Sequence, residues 1–225
     1  MAPIVLYYSP VSPYCRSVLL LARYLKLNVD VKYMDLQEKK EQLTPEFLAI
    51  NPQHSVPTID DNGFILWESR AILSYLIESK APELVPTSPK EKAIVNQRLH
   101  YELGGLTNKT TQIVSPLFSG EREDVDPEKV KELHEILFII DENYFPNGNE
   151  WIAGEILTAA DFAFVASIST LVGFGVSLDK YPRLQAWLKR CEDIMPEYEE
   201  VNQKGVEMLL QFFSGKFPEG IKGLH

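Results

Sequence analysis

The chain has 225 residues, 45% hydrophobic and 24% charged, which excludes a disordered polymer, a collagen-like repeat and a disulfide-stapled miniprotein and leaves one large or two moderate globular domains. Its 32 acidic residues against 22 Lys and Arg give a formal charge of −10, a field that repels phosphate backbones and anionic membranes, so neither nucleic acid nor a membrane surface is an expected partner. The two cysteines, Cys15 and Cys191, lack disulfide or metal-ligand spacing, and no basic leader or run of about 18 apolar residues is present; a reducing, cytoplasmic setting and no bound metal are expected.

Ile4 to Tyr8 reads as a strand that feeds, through Ser9-Pro10-Val11-Ser12-Pro13, a helical run containing Val18 to Leu25. Val29 to Met34 reads as a second strand, and Thr58-Ile59 and Phe64 to Trp67 flank an Asn62-Gly63 hairpin turn, which together make a small α/β unit. From Lys80 to Lys92 the string KAPELVPTSPKEK places Pro82, Pro86 and Pro89 where a helix cannot continue, and predicts a linker. Beyond it helical spacing takes over. Val130, Leu133, Leu137, Ile140 and Tyr144 form one apolar stripe, opened by Asp126-Pro127 as cap and first helical residue. Thr158 and Asp161 are spaced as a capping box, with Leu157 able to staple against Phe162. Leu184, Trp187, Leu188 and Cys191 share a face after Pro182, which makes Cys191 a core thiol. No internal repeat or low-complexity stretch is present.

At the first strand-to-helix junction, Ser12-Pro13-Tyr14-Cys15 resembles the CPYC of glutaredoxins with the nucleophilic sulfur replaced by a hydroxyl. Dithiol chemistry is then unavailable there, and Cys15, one turn into the helix, is misplaced for a reductase. The hydroxyl can still serve a sulfur brought by a substrate. A thiol titrates near about 8.5, so a useful thiolate at neutrality needs a shift of roughly two units, about 2.7 kcal/mol. One charged hydrogen bond supplies roughly 1.5 to 3 kcal/mol and a helix N-terminus roughly 0.3 to 2, which together reach that figure. Ser12 would act as donor, not base; standing alone it would read simply as a helix N-cap.

Asn51-Pro52-Gln53-His54-Ser55-Val56-Pro57-Thr58-Ile59 places a proline ahead of a strand. A cis bond there would offer the Val56 backbone to a peptide-like ligand as an added strand, whereas a trans proline is the ordinary edge-strand feature. Trp67-Glu68-Ser69-Arg70 then passes from a strand into a helix with an acid, a hydroxyl and a guanidinium together, a set suited to an amino-acid head group. Taken singly, Ser69 reads as an N-cap and Glu68 as a dipole-compensating charge.

With SPYCR, NPQHSVPTI, DNGFILWESRAI, a proline linker and LTAADF in this order, the chain resembles a cytosolic glutathione transferase over nearly its whole length, most of all the serine-type delta and epsilon classes of insects. The resemblance implies an α/β thioredoxin-like N-terminal domain (residues 1–80), a linker (81–90) and an all-α helical C-terminal domain (91–225) supplying a hydrophobic substrate pocket. It implies a homodimer that takes glutathione as co-substrate and conjugates its thiolate to small hydrophobic electrophiles, a detoxification chemistry. A glutathione-dependent peroxidase or isomerase, or a non-catalytic binder of hydrophobic ligands, is the alternative. Carried over by motif, Ser12 is catalytic. Val56 before Pro57 meets the cysteinyl backbone, Glu68, Ser69 and Arg70 hold the γ-glutamyl end, and His54 and Gln42 approach the glycyl carboxylate. Gln42 departs from the family, which usually has histidine there. The pocket residues carried over are Thr107, Thr111, Val114, Phe118 and Phe212 or Phe213, on the first helix of the second half and in the C-terminal segment; Thr107, where relatives often have an aromatic residue, implies a roomier or more polar pocket. Tyr7 and Tyr8, near the place where other classes carry a catalytic tyrosine, alternate to opposite faces and are read as packing residues.

Overall fold

The structure is a computed structural model that describes residues 2–214 together with Ile221, Gly223 and Leu224, so Met1 and parts of the expected 91–225 unit lie outside the described residues. Four strands form one mixed sheet in the order β2-β1-β3-β4: β1 (Ile4–Tyr8), β2 (Val29–Tyr33), β3 (Thr58–Asp61) and β4 (Phe64–Trp67). β1 runs parallel to β2 from Ile4 opposite Val29, and antiparallel to β3 with Leu6 opposite Ile59. β3 and β4 are closed by Asn62-Gly63, whose φ values of 56° and 92° suit the left-handed turn that an Asn-Gly pair favours. α1 (Pro13–Tyr24), α2 (Pro45–Ile50) and α3 (Ser69–Lys80) complete this half. α1 buries Cys15 to Ala22 in succession because it packs against α3 as well as against a helix of the second half.

Pro82–Leu84 makes a short 3-10 turn, and α4 (Pro89–Tyr101) begins at the last proline of the expected linker. Proline is tolerated as first helical residue, and Ser88 and Glu91 form a reciprocal capping box around it. The chain then widens into a π-helical turn over Glu102–Thr107 before α5 (Asn108–Ser119). Of the pocket residues expected on the first helix of this half, Thr107 therefore ends the π-helical turn and Thr111, Val114 and Phe118 sit on the second helix. α6 (Pro127–Asn143), α7 (Ala159–Gly173), α8 (Pro182–Ile194) and α9 (Lys204–Ser214) follow, with a second π-helical turn at Glu199–Gln203.

α7 is apolar on all sides and buried almost throughout, the pattern of a central helix. Its capping box forms as read from the sequence, and Asp161 does more than cap. One carboxylate oxygen accepts from Thr158 N–H at 2.8 Å, while the other accepts from Ile152 N–H and Trp187 Nε1, both at 2.9 Å. This single buried side chain joins the Trp151–Gly154 bridge, α7 and α8. Among the described residues no helix is long and apolar enough to cross a membrane.

Candidate active site

Ser12 caps α1: its Oγ accepts the Cys15 N–H at 3.3 Å. The cap and donor roles are compatible, because the cap occupies a lone pair and leaves the hydroxyl proton to be donated elsewhere. Cys15 is fully buried, and desolvation pushes its thiol up to about 12. Burial raises Cys191 as well. An alkylating reagent at pH 8 is thus expected to label neither cysteine of the native protein and both after denaturation, read by mass spectrometry; native labelling of Cys15 would contradict this placement. Tyr8 is a buried core residue whose phenol burial raises strongly, and Tyr7 packs edge-on against Phe47 at 5.2 Å.

The loop after α2 is organised by Asn51, which is fully buried. Its Nδ2 donates to Ser55 O at 3.0 Å and Thr58 Oγ1 at 2.9 Å, and its Oδ1 accepts from Gln53 N–H at 2.9 Å. The Val56-Pro57 bond is cis, and Val56 lies just beyond the ladder that β3 starts at Thr58. Gln53 ties this loop to the start of α3: its Nε2 donates to Glu68 Oε1 at 2.7 Å and its Oε1 accepts from Trp67 Nε1 at 2.9 Å.

Glu68, not Ser69, is the residue preceding the helix, and its φ of 70° is a left-handed conformation that costs a non-glycine residue about 1 to 3 kcal/mol. Held so, it leaves Ser69 as the first residue of a 12-residue helix whose leading N–H groups have no intrahelical acceptor. His54 is exposed, at φ 47°. Gln42 donates to Leu36 O at 3.1 Å, while its Oε1 is buried without a partner among the described residues.

Arg70 does not stand free beside Ser69. Its Nη1 donates to Ser69 Oγ at 2.9 Å, its Nε donates to Glu102 Oε2 at 2.7 Å, and its guanidinium lies 4.8 Å from the Tyr14 ring centroid. Glu102 is 0% exposed and also accepts from Thr107 Oγ1 at 2.8 Å and from Ser167 Oγ. The π-helical turn makes this possible by aiming Glu102 and Thr107 at one point. Sequence reading missed Glu102, Ser167, Asn51 and Gln53; the one available signal was Gly104-Gly105, weak helix formers inside the turn.

Between the two halves lies a cleft of about 240 Å³, floored by Val11, Pro13 and Tyr14 beside Ser12 and walled by Thr107, Thr111, Val114 and Phe118, with Phe174 and Leu209 opposite. Phe212 is 54% exposed and meets Phe213 edge-on, and Phe213 stacks on Phe118 at 3.4 Å between centroids. Leu209 and Phe213 are four apart and share the inward helix face; Phe212 is turned about 100° from Phe213. The threonines are also less polar than their number implies. Thr110, Thr111 and Thr170 donate to the carbonyls of Leu106, Thr107 and Ala166 at 2.8, 2.9 and 2.7 Å, so their hydroxyl protons are already committed.

Residues 6–84 match the family described as glutathione S-transferase, N-terminal domain, and residues 106–194 match glutathione S-transferase, C-terminal domain. Over 219 residues the chain is 38% identical to glutathione S-transferase D7 of Anopheles gambiae, covering 96% of this chain and 99% of that one. Among solved structures, a delta-class glutathione transferase of Nilaparvata lugens superposes with a TM-score of 0.88 at 40% identity, covering 95% of this chain and all of that one (100%). An epsilon-class glutathione S-transferase of the housefly, Musca domestica, superposes at 0.86 with 34% identity, covering 95% of this chain and 98% of that one.

Proposed function

The chain belongs to the glutathione S-transferase family, an enzyme family that transfers the glutathione sulfur to electrophiles, and on that premise we propose that it works by a serine-type mechanism with Ser12 as the catalytic hydroxyl. The observation that carries this reading is the Ser12 cap: at the N-terminus of α1, between Val11 and Pro13, which line the apolar cleft, its Oγ accepts from Cys15 N–H, a bond that uses a lone pair and not the hydroxyl proton. A thiolate receiving that proton as a hydrogen bond is stabilised both by the bond and by the positive end of the helix. Holding the electrophile in the cleft next to the sulfur supplies the rest of the acceleration, through proximity and partial exclusion of water.

In this reading the Val56 backbone pairs with the cysteinyl residue, Glu68 meets the ammonium, and Ser69 with the first N–H groups of α3 meets the γ-glutamyl carboxylate. Arg70 acts there through Ser69, as their 2.9 Å hydrogen bond supports. His54 and Gln42 attend the glycyl end. Thr107, Thr111, Val114 and Phe118, with Leu209, receive the electrophile, and Phe213 supports this wall through its stack on Phe118; the apolar side chains and the committed protons of Thr110 and Thr111 favour an apolar substrate. Residues 1–80 act as the glutathione-binding unit, 81–90 as the connection and 91–225 as the electrophile-binding unit. A homodimer in the cytoplasm, engaged in detoxification, completes the proposal; the two buried, unpaired cysteines are compatible with a reducing compartment.

The purified protein is expected to conjugate glutathione to a small aryl halide, followed by absorbance of the thioether. Binding of apolar ligands with no conjugation would point instead to a sequestering protein. Gln42→His is expected to lower the glutathione dissociation constant two- to fivefold, measured by calorimetry, since a cationic donor near a carboxylate is worth about 0.5 to 1 kcal/mol more than a neutral amide at a partly exposed site. An unchanged or higher constant would count against placing Gln42 at the glycyl end.

A further inference from the structure

Arg16 follows Ser12 by one helical turn, and its backbone N–H donates to Ser12 O at 3.1 Å. Its side chain is 0% exposed, and among the described residues every acceptor of its hydrogen bonds is neutral. Nη1 donates to Pro10 O at 3.2 Å and Val11 O at 3.3 Å, the two carbonyls just before Ser12. Nη2 donates to Ala166 O at 3.5 Å and to Thr170 Oγ1 on α7, and Nε donates to Asn202 Oδ1 at 3.1 Å in the second π-helical turn. Asn202 is turned to receive it by its own donation to Ser169 Oγ at 2.8 Å. The backbone closes over the guanidinium at Gly205, where a Cβ would come within 2.3 Å of Arg16 Cδ and 2.6 Å of Pro10 O.

A buried cation without a counter-charge is a liability for stability, and an apolar side chain of similar volume would serve packing as well or better. The charge is balanced if the anion arrives with the substrate. Resting on the serine-type reading above, we propose that Arg16 is a positioning residue for the thiolate: it fixes the Pro10-Val11 carbonyls that aim Ser12, ties them to the helical half, and supplies the uncompensated positive charge beneath the sulfur. The titratable groups facing it are Tyr8 and Cys15 from the first half and Tyr198 from the second, each raised by burial and neutral at physiological pH. Burial lowers Arg16 itself to about 10, which leaves it cationic at neutrality.

The test is the ultraviolet titration of the enzyme-bound glutathione thiol in Arg16→Gln, Arg16→Lys and Gly205→Ala. Arg16→Gln is expected to raise the apparent thiol pKa by about one unit, the size expected for a unit charge ~10 Å away at an effective dielectric of about 20. Arg16→Lys keeps the charge and should stay within about 0.3 unit of wild type while raising KM for glutathione, because it loses the planar fork. Gly205→Ala, which displaces the guanidinium without removing it, should lower kcat/KM several-fold and move the titration in the same direction as Arg16→Gln. A folded Arg16→Gln that binds glutathione and titrates as wild type would overturn the proposal. Should Arg16→Gln not fold, a Gly205→Ala protein with wild-type kinetics and titration would overturn it equally. Ser12→Ala in the same assay separates the two ideas: a flat Ser12→Ala with a shifted Arg16→Gln removes the serine mechanism alone, and the converse removes the arginine alone.

Discussion

Ser12→Ala is expected to lower kcat/KM for aryl-halide conjugation at neutral pH by about 10- to 100-fold, the equivalent of one charged hydrogen bond of roughly 1.5 to 3 kcal/mol. The loss follows from the Ser12 Oγ geometry, in which the cap to Cys15 uses a lone pair and leaves the hydrogen for the sulfur. Removing the donor raises the thiol pKa, so the acid limb of the pH–rate profile moves upward. The deficit should be largest below neutrality and shrink above about pH 9, where glutathione ionises in free solution. Ser12→Thr, which keeps a hydroxyl, should recover part of the rate. The cap contributes about 1 kcal/mol to stability, so a modest loss of melting temperature accompanies Ser12→Ala without explaining the kinetics.

The largest stability effect is expected at Glu102. It is fully buried, paired with Arg70 and bonded to Thr107 and Ser167, so Glu102→Ala strands a guanidinium and two hydroxyls at the junction of the halves. Breaking one partner out of a buried pair costs about 3 kcal/mol, which for a chain of this length lowers the melting temperature by roughly 6 to 12 °C. The Arg70 side chain then no longer orients Ser69, and KM for glutathione should rise more than kcat falls. Glu102→Gln keeps the shape and an acceptor and should recover about half of the stability. A Glu102→Ala protein that melts within about 2 °C of wild type with an unchanged KM would contradict the role given to this carboxylate. Calorimetric melting and steady-state kinetics on the same preparation decide it.

The features legible in the sequence were those with local causes. The Asn62-Gly63 turn, the Asp126-Pro127 helix start and the Thr158/Asp161 box each rest on a backbone requirement met within four residues, and all three form as read. Ser12 belongs to the same group, since its position follows from a strand ending before a capped helix. What stayed hidden depends on chain segments far apart in sequence. Glu102 sits in a polar helical stretch where an acid is ordinarily solvated; only the widened turn and the approach of Arg70 and Ser167 reveal its burial. Arg16 is equally inconspicuous, because its acceptors beyond the neighbouring Pro10 and Val11 lie at Ala166, Thr170 and Asn202, 150 to 186 residues away. Phe212 and Phe213 differ in helical phase, which a motif does not carry: on α9 Phe213 stacks on Phe118 while Phe212 is exposed. The threonines of the cleft looked polar in one dimension and are apolar in effect, since their protons go to the preceding turn.

The most direct measurement is the absorbance titration of glutathione bound to the wild-type enzyme and to Ser12→Ala. The bound thiol is expected to ionise about two units below its value near 8.5 in free solution, and that of the Ser12→Ala complex one to two units higher than in wild type. Identical titrations in the two proteins, with conjugation undiminished, would contradict it.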